Sequence, residues 1–216
     1  MTTMLRINSL QLTPILALLF AGQALAQVGE QIKTLKVGEV AKDFEFQPLE
    51  GNKKVKLSAL AKDGPLVLVV LRGFPGYQCP VCSQQVRDFR EHAKHFAELG
   101  AKVVLVYPGP PEDLKKRAHE FLKGDVLPKP MLLVIDPAYK LTNLYGLRWN
   151  AEAETAYPST FVLDSKRKVV FGKVSKSHGD RAKAEDVLAV VAALELADTA
   201  TGEEIPGVPI TVPQTR

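Results

Sequence analysis

An α/β domain, with a central mixed β-sheet flanked by helices on both faces, is the fold class the sequence predicts, and three observations predict it. Residues 66–71 are a continuous apolar run rich in valine, as a strand covered on both faces is, and 102–107 and 131–135 read as further buried, apolar strands. Segments of helical periodicity alternate with them. The closing order strand, strand, helix makes part of the sheet antiparallel.

Along the chain, Arg6, an apolar run over residues 12–20 and the small residues Ala24 and Ala26 have the layout of a secretory signal peptide over residues 1–26. Cleavage after Ala26 would leave a mature chain beginning at Gln27, exported to the periplasm or the extracellular space. The alternative is an uncleaved membrane anchor. The run is shorter than the roughly 20 residues a spanning helix needs, and Pro14 and Gln23 interrupt the segment. No later segment is apolar for long enough to span, so the mature chain is expected to have no membrane span. Residues 27–38 read as a linker, 39–197 as the domain and 198–216 as a polar, proline-rich, poorly ordered tail.

Within the domain, residues 43–46 and 55–57 alternate as half-buried strands do, and Ser58 can cap a short helical turn through Ala61. The strand at 66–71 leads into a turn-rich loop, residues 72–78, and then a helix from Pro80 to Leu99 whose buried stripe is Val86, Phe89, Ala93, Phe96 and Ala97. Gly100 ends it. After the strand at 102–107, Pro111, Glu112 and Asp113 open a helix to Leu122. The strand at 131–135 precedes a short helix at 141–145 that Gly146 stops. Residues 160–163 and 168–174 are two strands joined by a polar turn, and 183–196 an amphipathic closing helix.

The chain has 216 residues, 28 Lys and Arg against 24 Asp and Glu, and a net charge of +4. The small basic excess is scattered beside acidic neighbours, which gives no nucleic-acid patch. Its two cysteines lie within four residues of each other, so they cannot staple distant segments. Chemistry or metal remains.

Proline is favoured at the first helical position, where its missing N–H costs nothing, so Pro80 places Cys79 at the N-cap and Cys82 at the third helical position. An N-cap side chain can accept the free N–H groups of Val81 and Cys82, and the positive end of the helix dipole adds to them. A thiolate at Cys79 is favoured by both effects. Cys82 is near enough to close a disulfide with it. A buried structural pair is one competing reading and zinc another. Zinc needs about four ligands, and His92, His95, His119 and His178 form no compact cluster in sequence. Covalent haem needs histidine after C-x-x-C, and residue 83 is serine. The expectation is no metal and no cofactor.

The run Arg72-Gly73-Phe74-Pro75-Gly76-Tyr77-Gln78-Cys79-Pro80-Val81-Cys82 after an apolar strand resembles the alkyl hydroperoxide reductase/thiol-specific antioxidant branch of the thioredoxin superfamily, specifically its peroxiredoxin-like members. The resemblance spans residues 37–196 and implies a thioredoxin-like fold. Peroxiredoxins carry P-x-x-x-T-x-x-C, whose cysteine attacks peroxide. Pro75, Cys79 and Cys82 match those positions, with Cys79 in place of threonine. The family's arginine before F-I-I-D is replaced, since Pro158 stands near that place in residues 157–164. That segment looks like the cis-proline loop of thioredoxins, which positions a substrate disulfide; the alternative is a trans proline before an edge strand. Arg72 and Arg181 are the candidates to stand in for the arginine, although each alone reads as a surface salt bridge.

Of the remaining candidates, His92 and His95 lie too far along the helix to serve the cysteines as base. Trp149, Tyr107 and Phe74 read as packing residues, and Asp43 or Glu45 as a remote option for a buried proton acceptor. The resemblance implies a thiol-dependent oxidoreductase that reduces hydroperoxides through a Cys79/Cys82 dithiol–disulfide cycle, with a thioredoxin-like dithiol as reductant. Two alternatives stand beside it: an oxidoreductase of protein disulfides, and a non-catalytic redox sensor. The peroxiredoxin alignment makes Cys82 the attacking sulfur, whereas helix geometry makes it Cys79.

Overall fold

The computed structural model describes residues 34–200, with side chains to residue 197. The signal peptide expected over residues 1–26, residues 27–33 of the expected linker and the expected tail beyond Ala200 lie outside them. In chain order the elements are β1 (Glu45–Pro48), β2 (Val55–Lys56), α1 (Leu57–Ala61), β3 (Leu66–Val70), α2 (Pro80–Glu91), α3 (Ala93–Glu98), β4 (Lys102–Gly109), α4 (Leu114–Leu122), β5 (Met131–Pro137), α5 (Lys140–Leu144), β6 (Ser159–Leu163), β7 (Val169–Val174) and α6 (Ala184–Ala200). The strands form one sheet in the order β2-β1-β5-β4-β3-β6-β7. The central β5, β4 and β3 are parallel, and the flanking pairs antiparallel. The mixed sheet of the sequence reading is therefore present. No helix among the described residues is long and apolar enough to cross a membrane.

Because successive side chains of a strand point to opposite faces, the valine-rich strands feed two cores. Val67, Val69 and Leu71 of β3 and its extension, with Val103, Leu105 and Tyr107 of β4, pack against Phe89, Phe96, Phe121 and Val187 from α2, α3, α4 and α6. Leu66, Leu68 and Val70, with Val104 and Val106, face Phe46, Leu57, Ala61, Leu141 and Tyr145 on the other side. Both cysteines belong to the first core.

Three local readings need correction. The helix expected over 80–99 breaks at His92 (φ −98°, ψ 3°), so α3 starts a new phase: Phe96 is buried but Ala97 is exposed. Ser58 does not cap α1; its hydroxyl and N–H both donate to the Asp43 carboxylate, at 2.7 and 2.9 Å, which braces the chain ahead of β1 against α1. The final helix continues through Ala200, past the expected start of the tail, with Glu185 and Asp186 in its first turn complementing the helix dipole.

Candidate active site

The site sits where the parallel strands end. Beyond β3, Leu71 N–H still donates to Val106 C=O at 2.9 Å and Phe74 N–H to Pro108 C=O at 2.9 Å, so the loop before the cysteines is zipped to β4. Gly73 makes that approach: its φ is 75°, and a Cβ there would lie 1.9 Å from the Pro108 carbonyl oxygen. Pro75 is half-buried in the same loop. The chain then enters α2 as the sequence predicts, with Cys79 extended at the N-cap, Pro80 at the first helical position and Cys82 two residues later.

Cys79 Sγ accepts the Cys82 backbone N–H at 3.4 Å. Its thiol pKa falls to about 5; the Cys82 thiol donating to the sulfur contributes most, burial opposes it, and the Cys82 amide, Arg181 and Arg72 add to the lowering. Cys82 moves the other way. It has no exposed surface, and burial together with the neighbouring Cys79 holds its thiol protonated well above the ordinary value. Cys79, at 2% exposure, is itself almost covered.

Arg181 reaches this pair and Arg72 acts on Cys79 through its charge, and neither is a surface salt bridge. Arg181, from the segment between β7 and α6, places Nη1 3.6 Å from Cys82 Sγ and Nη2 3.9 Å from Cys79 Sγ. Its other bonds go to neutral oxygens, Gln85 Oε1 at 2.8 Å and the His178 carbonyl at 2.8 Å. Among the described residues no carboxylate pairs with it, so its charge is directed at the sulfurs. Arg72 is 2% exposed and its Nε donates to Glu154 Oε2 at 2.6 Å. Burial pulls its pKa down, but Glu154 and Tyr77 outweigh burial and keep it charged. The other Glu154 oxygen meets His178 Nε2 at 2.8 Å. Burial raises the Glu154 pKa, and bonds to Arg72 and His178 more than reverse it.

Pro158 departs from its reading. The Tyr157–Pro158 bond is trans, Lys129–Pro130 being the cis bond among the described residues. The trans chain runs straight into β6, with Tyr157 N–H on Leu147 C=O and Pro158 C=O accepting Ser175 N–H, both at 2.8 Å. β6 is moreover an interior strand, between β3 and β7. Pro158 therefore anchors the segment that carries Arg181. Asp43 and Glu45 are no proton acceptors for Cys82, since Asp43 is bound to Ser58 and Glu45 pairs with Lys54. His92 bonds the Asp88 carbonyl at 2.8 Å, away from the sulfurs. Tyr107 donates to Gln78 Oε1 at 2.7 Å and packs on Phe121; Trp149 stacks on Tyr157, their centroids 4.8 Å apart. Among the described residues no three His, Cys, Asp or Glu could hold a metal ion together.

Sequence reasoning missed Glu154 and Gln85, and weighed His178 only as a metal ligand. Gln85 lies one turn past Cys82 on the same face of α2, a helical spacing that could have marked it. Glu154 and His178 reach the site only through tertiary folding.

Residues 37–171 match the model of the AhpC/TSA family. A Mycobacterium tuberculosis protein named as a peroxiredoxin is 29% identical over 162 residues, covering 74% of this chain and 98% of that protein. Peroxiredoxin Bcp of Bacillus subtilis is 28% identical over 142 residues, 63% of this chain and 83% of that protein. Among solved structures, peroxidoxin BcpB from Mycobacterium tuberculosis superposes with a TM-score of 0.61 at 27% identity, covering 74% of this chain and 98% of that one. A yeast mitochondrial 1-Cys peroxiredoxin has the same fold, with a TM-score of 0.63 at 20% identity over 78% of this chain and 80% of that one.

Proposed function

The chain belongs to the AhpC/TSA family, and from that premise we propose that it is a thiol peroxidase in which Cys79 attacks a hydroperoxide and Cys82 resolves the product. The Cys79 thiolate attacks the distal oxygen of the hydroperoxide; the S–O bond of a sulfenic acid forms as the O–O bond breaks, and the departing alkoxide takes a proton to become the alcohol. The Cys82 thiol then attacks the sulfenic sulfur; the S–S bond forms and water leaves with the Cys82 proton. An external thioredoxin-like dithiol returns both thiols. No cofactor enters the cycle.

The Arg181 guanidinium on both sulfurs carries this reading. It supplies, from a different segment, the cation that the family pattern would have near Pro158. There it favours the Cys79 thiolate and faces the negative charge that builds on the departing oxygen. Cover over the sulfurs also bears on substrate size: at 2% and 0% exposure, Cys79 and Cys82 suit a small peroxide better than a protein disulfide, and the trans Pro158 removes the feature on which disulfide recognition was expected. Stopped-flow oxidation of the reduced protein by hydrogen peroxide and by a model disulfide at equal concentration tests this. Faster reaction with peroxide supports it, and faster reaction with the disulfide opposes it.

Export belongs to the same proposal. The signal layout of residues 1–26 supports it, and N-terminal sequencing of the exported chain should find Gln27 first. Retention of Arg6 would count against cleavage.

A further inference from the structure

Residues 175–183 carry Arg181 with no regular secondary structure of their own. A long side chain on such a segment would sample many positions unless something outside the segment held it. The ends are tied: Ser175 N–H donates to Pro158 C=O at 2.8 Å, and at the start of α6 Ala184 N–H donates to Asp88 Oδ2 at 2.7 Å. Ser175 Oγ bonds the Asp180 carbonyl and Asp180 pairs with Lys173 at 2.8 Å, which shapes the segment from within. The middle is tied through His178. Its Nε2 lies 2.8 Å from Glu154 Oε1, its ring leans on Trp149 with centroids 5.3 Å apart, and its own carbonyl accepts Arg181 Nε at 2.8 Å.

We infer that His178 is a positioning residue that holds the Arg181 guanidinium over Cys79 and Cys82, by anchoring its side chain on Glu154 while its carbonyl grips Arg181. The inference rests on the reading in which Arg181 activates the thiolate. Glu154 is in turn fixed by Arg72, which is buried immediately after β3, so the chain of contacts runs from a rigid part of the sheet to the sulfurs. Through it the two arginines act as one unit: one is neutralised by Glu154 and serves as the anchor, and the other keeps its charge for the sulfurs. The His178 side chain is 42% exposed, so truncating it opens no hole in either core.

The test compares His178→Ala, His178→Gln, Arg181→Ala and the double variant His178→Ala/Arg181→Ala, reading the pH midpoint of Cys79 alkylation and the rate of oxidation by hydrogen peroxide. His178→Ala is expected to raise the midpoint and slow oxidation by roughly tenfold or more, toward the roughly hundredfold that misplacing a positioned group by about an ångström can cost. Glutamine, whose amide N–H₂ stands near the place of Nε2, should restore most of both. The double variant should be no slower than Arg181→Ala alone, because the two residues act through one contact. Should the alanine variant not fold, His178→Asn, polar but too short to reach Glu154, carries the same comparison. A strong defect in Arg181→Ala beside wild-type behaviour in His178→Ala, or effects that simply add, would overturn the inference alone. Wild-type behaviour in Arg181→Ala would overturn the activating role and the inference with it.

Discussion

The backbone N–H of Cys82 donates to the sulfur of Cys79 across 3.4 Å, beside the stronger donation from the Cys82 thiol, and with the burial of Cys82 these bonds make the two cysteines chemically unlike. The sulfur that accepts them gains a stabilised thiolate. The sulfur one turn on, sealed in the core beneath, keeps its proton and donates it toward the first.

Peroxide reactivity should follow the Cys79 thiolate. The deprotonated sulfur is the nucleophile and its pKa is about 5, so the rate of oxidation by hydrogen peroxide should be level near neutral pH and fall as pH drops through about 5. A rate that instead climbs steadily from pH 7 to pH 9 would mean that an ordinary thiol is reacting.

Serine variants should separate the two steps. Cys79→Ser is expected to lose the fast reaction altogether. Cys82→Ser should consume one equivalent of peroxide and stop as a sulfenic acid, detectable by mass or by a sulfenate-trapping reagent. In the wild type, thiol counting after mild oxidation should find both thiols lost within a monomer. Sulfur-linked dimers would argue against in-place resolution.

Glu154 should matter for stability as well as for geometry. Glu154→Leu leaves the Arg72 guanidinium buried without its carboxylate, which costs about 3–5 kcal/mol when one partner of a buried pair is removed. The double variant Arg72→Met/Glu154→Leu should recover much of that loss in a denaturant titration. A near-neutral Glu154→Leu would show that water reaches Arg72.

Gly73→Ala should be severely destabilising, since a Cβ would meet the Pro108 carbonyl oxygen at 1.9 Å and the φ of 75° disfavours any side chain. Relief requires the loop to leave β4. A variant that still folds should therefore raise the Cys79 thiol pKa, measured as the alkylation midpoint.

What the sequence made legible was local. Valine runs marked the interior strands because burial on both faces leaves no room for polar residues, and Pro80 located the helix start because a missing N–H is harmless only there. Arg181 could be named but not placed: it is 99 residues from Cys82, and no spacing rule reaches across a fold. Glu154 and His178, 24 residues apart and each in an irregular segment, had no periodicity to betray them. Pro158 was misread because a Pro-Ser-Thr segment before a strand fits either isomer, and the contacts of Tyr157 and Ser175 decide for trans. The break at His92 was hidden for a related reason: the apolar spacing of Phe89 and Phe96 survives it, and their rings stack at 5.7 Å.

The attacking sulfur can be identified directly. Reduced protein is pulsed with iodoacetamide at about pH 6, where a thiol of ordinary pKa near 8.5 is almost fully protonated, quenched, and the label mapped by mass spectrometry. The geometry predicts label on Cys79, with Cys82 modified only after unfolding. Label found chiefly on Cys82 would contradict the assignment of Cys79 as the nucleophile.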